Sequence, residues 1–222
     1  MTGDRAEAMR PLSTGTLAHF AYEELRERLI TLDILPGHPL NEVQLAASLG
    51  VGRTAVREAL TRLECDHLVV SYPRKGTFAT MVDLAELADV SEIRMLLEPL
   101  AVRRAAGNAN QELKRELLQR AEFLEQLDPA TDQRSLMQHD MAVHRLIYRA
   151  AGSSRLEEIL VRYDNLATRI WCFLLDKLPS VSGEIRENAV LLRAIASGDG
   201  ERASSLALEA ISAFEATVRK VI

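Results

Sequence analysis

The chain has 222 residues, of which 47% are hydrophobic and 5% aromatic, and a formal net charge of −5. That length admits two domains with real cores, and a composition led by Leu, Ala, Glu and Arg favours helices. No apolar run reaches the roughly 18 to 20 residues of a membrane span, and no basic-then-apolar leader opens the chain, so a cytoplasmic location is expected. Cys65 and Cys172 lack any CxxC partner and are expected as buried free thiols rather than a disulfide.

The first ten or so residues carry no periodic pattern, and 1–12 is expected to be flexible. From Asn41 to Leu63 the sequence predicts two short helices joined by a tight turn. Asn41 can accept from the amides of the first turn, and Gln44 can reach back to it as in a capping box. Gly50 supplies the left-handed residue that closes a helix, and Gly52 stands at the next N-cap without a side-chain acceptor. On the second helix Val56, Leu60 and Leu63 form an apolar stripe, while Arg53, Thr54, Arg57 and Thr61 project from another face. Arginines four apart near a helix N-terminus are placed to fork onto guanine O6 and N7 or to clamp phosphates. Taken alone, such a face is also what any solvated amphipathic helix presents.

Leu68 to Tyr72 predicts a strand, Pro73 to Gly76 a turn and Thr77 to Val82 a return strand. A hairpin tipped by Arg74 and Lys75, directly after such a helix, makes a winged helix-turn-helix. The tip would meet backbone or minor groove, and Gly76 would let the main chain approach a phosphate. Residues 51–76 hold Arg53, Arg57, Arg62, Arg74 and Lys75 against Glu58, Glu64 and Asp66, a local surplus of two inside an acidic chain. Glu58 and Arg62 are spaced to pair, which would leave the other cations facing outward. Specific, salt-sensitive binding to a defined duplex site is compatible with this balance.

The run VGRTAVREALTRLECDHLVVSYPRKGTFA resembles the DNA-binding signature of the GntR family of bacterial transcriptional regulators. Upstream, ELRERLITLDILPGHPLNE is similar to that family's first helix, Pro-Gly turn and leucine. The resemblance implies that Arg53 and Arg57 touch operator DNA and that Gly76 is the wing glycine. Gly52 departs from the usual serine or threonine, removing a hydroxyl, and Ala55 departs from the common proline. Val43 stands where some members carry a basic residue, so that contact is not carried over.

From Asp83 onward the pattern predicts about six helices, over 83–107, 109–127, 131–151, 153–178, 182–197 and 199–221. Pro99 should kink the first. The last shows an apolar stripe of Ala203, Leu206, Ala207, Ala210, Phe214 and Val218, continuing to Val221. The expected fold is mainly α: a winged helix-turn-helix over 13–82, with the helix-turn-helix at about 41–63 and the wing at about 68–82, then an antiparallel helical bundle over 83–222. Trp171 and Phe173 are expected in core or dimer packing.

EIRMLLEPLAVRRAA, DMAVHRLIYRAAGSSRL and LLRAIASGDGERASS resemble the helical ligand-binding FCD domain of the FadR and VanR branch, and six helices rather than seven would place the chain nearer the VanR type. Many such domains hold a divalent metal with an aspartate and three histidines, the metal in turn binding a carboxylate effector. Asp140 and His144 match the first two positions, but Asn188 and Ala210 fall where the other histidines are expected. A divalent metal is therefore disfavoured, Asn188 being a weak oxygen donor and His139 pointing elsewhere on its helix. Asp140 and His144 are open to a second reading, as a satisfied polar pair lining a cavity. Arg94 is either a bidentate anchor for an acidic effector or the i, i+4 partner of Glu98, and Arg169 and Asn188 are further effector candidates.

The function these features imply is a ligand-responsive regulator that binds a short palindromic DNA operator as a homodimer. The resemblance makes it a repressor relieved by a small carboxylate-type metabolite. The alternatives are a DNA binder whose bundle only dimerises and, remotely, a helical-bundle metalloenzyme. No Ser/His/Asp or Cys/His constellation supports an enzyme.

Overall fold

The computed structural model describes residues 16–128, 131–178 and 182–222. The flexible segment expected over 1–12 and the breaks expected at Pro129 and Pro179 lie outside them. The chain divides into two compact units, 1–81 and 82–222.

In the first unit, helix α1 (Leu17–Ile30) starts where Thr16 accepts a hydrogen bond from the His19 amide. Helix α2 (Glu42–Leu49) starts at Asn41, whose side chain accepts from the amides of Val43 and Gln44; the reciprocal Gln44 half of the capping box is not formed among the described hydrogen bonds. Gly50 ends α2 at φ +66°, a left-handed conformation that glycine adopts without a Cβ penalty. Helix α3 (Arg53–Cys65) follows, with Gly52 at its N-cap and no side-chain cap. Its stripe is buried as the period predicts: Val56 and Leu63 are fully buried, and they share a core with Leu25, Leu29 and Leu68.

Strands β1 (Val69–Tyr72) and β2 (Gly76–Ala79) pair antiparallel, with Val69 opposite Ala79 and Tyr72 opposite Gly76. The return strand is shorter than the sequence predicts. After Ala79 one further bond, Thr80 N to Leu68 O, closes the hairpin, and Met81 is already exposed. No strand signal marks His38–Leu40, yet this segment lines the other edge of β2: Leu40 N donates to Thr77 O and Ala79 N to His38 O. Two further expectations are corrected. Cys65 is exposed, whereas Cys172 is buried as expected. Arg62 does not pair with Glu58. Its guanidinium lies 3.8 Å from the centre of the Tyr22 ring, and the Tyr22 hydroxyl donates to Asp66, so α1 and the end of α3 are tied together by an aromatic ring.

In the second unit a 3₁₀ turn, Leu84–Glu86, leads into α4 (Leu87–Asn108). Then come α5 (Gln111–Glu125), α6 (Gln133–Ala150), α7 (Ser154–Leu174), α8 (Ser182–Ser197) and α9 (Gly200–Arg219), six α-helices among the described residues where the sequence predicts about six. Asn110, Asp132, Ser153 and Asp199 cap four of them with side-chain oxygens, which is why their starts are sharp. Helix α4 runs through Pro99 without interruption. It packs against α6, α7, α8 and α9, and α5 packs on α8, so α4 is the central helix of the bundle. That position buries side chains on several faces of α4, including Arg94 and Glu98. The α9 stripe is inside at Ala203, Ala207, Phe214 and Val218, joined by Ile211, whereas Leu206 and Val221 are half-buried and Ala210 is exposed. Trp171 is buried, stacked on Phe214 at 5.0 Å between ring centres, and Phe173 faces outward at 47% exposure. Among the described residues no helix is long and apolar enough to cross a membrane.

Candidate functional site

The helix-turn-helix places Arg53, Thr54, Arg57 and Thr61 on one exposed face of α3, and the hairpin exposes Arg74, Lys75 and Gly76 at its tip. The turn at the tip is closed by a bond from Lys75 N to Tyr72 O at 3.1 Å. Arg74 occupies the third position of that turn at φ +65°, a conformation that costs an L-residue energy, and Gly76 follows at φ +102°. A Cβ at Gly76 would meet nothing within 4 Å, so the main chain there is open to a large partner. At the α3 N-terminus Gly52 leaves the first amides without a side-chain acceptor, the arrangement that suits a phosphate oxygen.

Arg53 and Arg57 both meet a residue to which the sequence gives no role. Arg57 forks onto Glu42, with Nε at 3.2 Å and Nη2 at 2.8 Å from its two oxygens, and Arg53 Nη2 lies 3.6 Å from the same carboxylate. Glu42 is the first residue of α2, favoured there by the helix dipole. The short Gly50–Gly52 turn between the two helices brings it beside the first turn of α3. The forked bond holds the Glu42 carboxyl below its usual range and raises the Arg57 guanidinium. Thr61 donates its hydroxyl proton to the Arg57 carbonyl at 3.0 Å, leaving its oxygen lone pairs outward.

The second site is a cavity of about 90 Å³ inside the bundle, walled by α4, α6, α7, α8 and α9. Arg94, Asp140, His144 and Asn188 all line it; Arg169 does not, and it is buried elsewhere on α7. Burial pushes the Arg169 guanidinium down to about 10, against the pull of Glu86. The sequence offers Glu98 as the i, i+4 partner of Arg94, and that pair forms, whereas Tyr148 and Asp164 join the cluster without a sequence signal. Arg94 Nε donates to Glu98 Oε1 at 2.5 Å, and Nη2 lies 3.5 Å from Asp164 Oδ1. The Tyr148 hydroxyl donates to the same Glu98 oxygen at 2.9 Å and lies 3.2 Å from His144 Nδ1. A phenol has one proton, so with that proton on Glu98 the imidazole Nδ1 must be the donor to tyrosine. His144 Nε2 faces Asp140 at 3.7 Å, and Asn188 Nδ2 donates to Asp140 Oδ1 at 2.7 Å.

Electrostatics in this cluster follow from burial and from the excess of acids. Burial alone would lower the His144 pKa, but Asp164, Asp140 and Glu98 outweigh it and raise it above the ordinary imidazole value. Burial lifts the Asp164 carboxyl above the usual carboxylate range against the pull of His144 and Arg94, and lifts the Tyr148 phenol with help from Glu98. Arg94 stays charged, because Glu98, Tyr148 and Asp164 together overcome the cost of its burial.

The side chains present do not fit an aspartate-and-three-histidine metal set. Ala210 offers no donor, Asn188 turns its amide nitrogen to Asp140, and His139 packs edge-on against Phe123 at 4.9 Å. Glu98, His144 and Asp164 bring donor atoms within 4.8 Å of one another. The Arg94 guanidinium bridges the two carboxylates of that group, and a dication there would have to displace it.

Comparison with known proteins agrees with both halves of this geometry. Residues 17–79 match bacterial regulatory proteins of the gntR family, and residues 89–213 match the FCD domain. The Nta operon transcriptional regulator of Aminobacter aminovorans is 34% identical over 137 residues, 61% of this chain and 62% of that protein. The HTH-type transcriptional repressor RspR of Escherichia coli K12 is 23% identical over 203 residues, 90% of this chain and 88% of RspR. Among the first relatives matched, the aligned part spans 33% of a Streptomyces ambofaciens regulator and 65% of YdhC from Bacillus subtilis, so those matches do not extend to the whole of either protein. The solved structure of E. coli McbR/YncC shares the fold at a TM-score of 0.81 and 23% identity, covering 93% of this chain and 99% of that one. A GntR regulator from Rhodococcus sp. RHA1 does so at 0.73 and 22%, covering 92% and 98%. With its helix-turn-helix and wing in one unit and its six-helix bundle in the other, the chain belongs to the gntR family of bacterial transcriptional regulators that carry an FCD domain.

Proposed function

We propose that this transcriptional regulator is a ligand-responsive repressor that acts in the cytoplasm as a homodimer on a short palindromic operator. The observation that carries the reading is the pairing, in one chain, of an exposed Arg53, Arg57, Arg74 and Lys75 surface with an enclosed polar cavity in a separate unit. Arg57 reads a base edge or phosphate from the N-terminal half of α3, Arg53, Thr54 and Thr61 flank it, and Arg74, Lys75 and Gly76 hold the adjacent backbone. Two-fold symmetry presents two such helices to major-groove faces about 10 base pairs apart, which gives the operator its palindrome. Repression is supported by the name of RspR, a repressor aligned over most of this chain.

An effector in the bundle acts by binding one of two dimer states better than the other; equal affinity for both would leave the operator untouched. Among the described residues, the carboxylate effector that family resemblance implies meets one permanent cation in the cavity, Arg94, already held by Glu98 and Asp164.

Selection of duplexes from a random library by the full chain tests the DNA half of this reading. It should yield a palindrome with half-sites one helical turn apart, and Arg57→Ala should lower affinity for it about tenfold or more while leaving the bundle folded. Unchanged operator binding by both Arg53→Ala and Arg57→Ala would remove the groove assignment. Operator affinity indifferent to every compound in a broad metabolite screen would leave a bundle that only dimerises.

A further inference from the structure

We infer that the bundle cavity takes a small organic cation, a protonated amine on a short apolar chain, with Asp164 accepting its N–H and Trp171 and Phe214 forming its apolar wall. The inference rests on the reading of the bundle as a sensor and assigns the chemistry of what it senses.

Charge carries the first step. Among the charged groups lining the cavity, Arg94 stands against Glu98, Asp140, Asp164 and Glu187, with His144 beside them. With Glu98 and Asp140 ionised, the set of Arg94, Glu98, half-buried Asp140, Asp164 and His144 is formally neutral when Asp164 holds a proton and His144 is charged. Ionising Asp164 or neutralising His144 then makes it negative. A carboxylate entering would add an uncompensated anion to a space with no spare positive charge, and burying such a charge is costly. Arg94 is not spare: its Nε and Nη2 are committed to two carboxylates that would be stranded if it turned to a ligand.

Unused hydrogen-bonding capacity carries the second step. Glu98 Oε1 accepts from both Arg94 and Tyr148, and Asp140 Oδ1 accepts from Asn188. Asp164 is 2% exposed, lines the cavity, and its Oδ2 is buried without a hydrogen-bond partner. Orphaned buried carboxylate oxygens are uncommon because each forfeits its hydration, so one beside a cavity asks for a donor. An ammonium group supplies both the donor and the missing charge.

The walls carry the third. Trp171 and Phe214 stack at 5.0 Å and 19° between planes, and the Arg94 guanidinium lies 5.9 Å from the Phe214 ring centre, so a cation is already accommodated beside this aromatic pair. A volume of about 90 Å³ exceeds the roughly 10–15 Å³ needed for one water, so it holds a molecule of a few heavy atoms. A bare dication would gain nothing from the aromatic wall and would compete with Arg94 for its donors.

Trp171 is the one tryptophan of the chain, so its fluorescence reports cavity occupancy directly in the full protein. Titration with n-butylammonium should change that signal saturably in the millimolar range or below and raise the unfolding temperature. Valerate, matched in shape and opposite in charge, should do neither at the same ionic strength. Asp164→Asn should weaken butylammonium about tenfold or more. Phe214→Leu, which keeps every carboxylate, should weaken it severalfold and guards against misfolding of the first variant. Three results overturn the inference: valerate binding more tightly than butylammonium, stoichiometric zinc or manganese binding that butylammonium does not displace, or no response to butylammonium at millimolar concentration. Operator affinity measured alongside separates the two readings. A response to anionic metabolites alone sinks the cationic assignment and keeps the sensor, whereas no response to any compound sinks the sensor itself.

Discussion

The two units each build an arginine–glutamate pair, and they use it in opposite ways. Arg57 and Glu42 form a forked pair in which the arginine side chain is 64% exposed, while Arg94 and Glu98 are joined through a single Nε–Oε1 bond with both side chains under 10% exposed. Solvent competes for the first pair, and salt screens it, so it opens readily when a phosphate or guanine offers a better partner. The second cannot open without leaving charge in a low-dielectric interior, so it behaves as part of the frame. On the proposed function, the exposed arginine is free to read DNA while the buried one serves as a strut, and burial decides which.

Breaking the buried pair should have the largest effect. Arg94→Met strands Glu98 and Asp164 and is expected to cost about 3–5 kcal/mol of bundle stability, read by denaturant unfolding through Trp171 fluorescence. A loss within error would mean that the cluster relaxes by taking up protons or water, and the contrast between the units would fail.

Next comes the exposed pair. Glu42→Gln releases Arg53 and Arg57 and removes an anion from the DNA face, so binding to a scrambled duplex should tighten severalfold with a steeper salt dependence. Anisotropy titrations on operator and scrambled duplexes across salt concentrations would show the specificity ratio falling. An unchanged ratio would deny Glu42 any part in orienting the arginines.

The pH response sharpens the comparison further. His144 and Asp164 both hold protons more tightly in the fold than as free side chains. Their contribution is thus complete below the unfolded values, about 6.5 and 3.9, and is lost as pH rises through the higher folded values. The unfolding temperature of the bundle should fall as pH climbs above about 6.5, and His144→Gln should flatten that fall. A profile rising with pH in that window would reverse the assigned direction.

The smallest effect is expected at the wing tip. Arg74→Gly relieves a left-handed conformation and should stabilise the hairpin by about 1 kcal/mol while weakening DNA binding through the lost charge. Far-ultraviolet circular dichroism, which sees both units, and duplex titration should therefore move in opposite senses. Loss of both stability and affinity would show that the arginine side chain supports the turn.

Much of the fold was legible because it rests on short-range signals. Asn41, Asp132, Ser153 and Asp199 are N-caps acting over two or three residues, and Val56, Leu60 and Leu63 declare their face by spacing alone. The pattern also placed Arg53, Arg57, Arg74 and Lys75 on exposed surfaces. It did not reveal the bridging segment at His38–Leu40, whose bonds run to residues about 40 positions away and whose composition is that of a turn. Nor did it reveal that Arg62 packs on Tyr22 rather than pairing with Glu58, since a ring from another helix outcompeted the i, i+4 neighbour.

The candidate sites divide along the same line. Arg94 and Glu98, or Asp140 and His144, sit four apart on one helix, so their proximity follows from helical geometry in any fold. That Asp164 from α7 joins them, that Tyr148 links Glu98 to His144, and that Asn188 from α8 caps Asp140 depend on how α4, α6, α7 and α8 pack. The sequence by itself determined a winged helix-turn-helix followed by six helices, because capping and periodicity are local and nearly independent of context. Only the tertiary structure decided that the bundle's arginine is already occupied and that its cavity is acidic. Charge balance in a buried space is a sum over helices distant in sequence, and burial sets the weight of each charge in it.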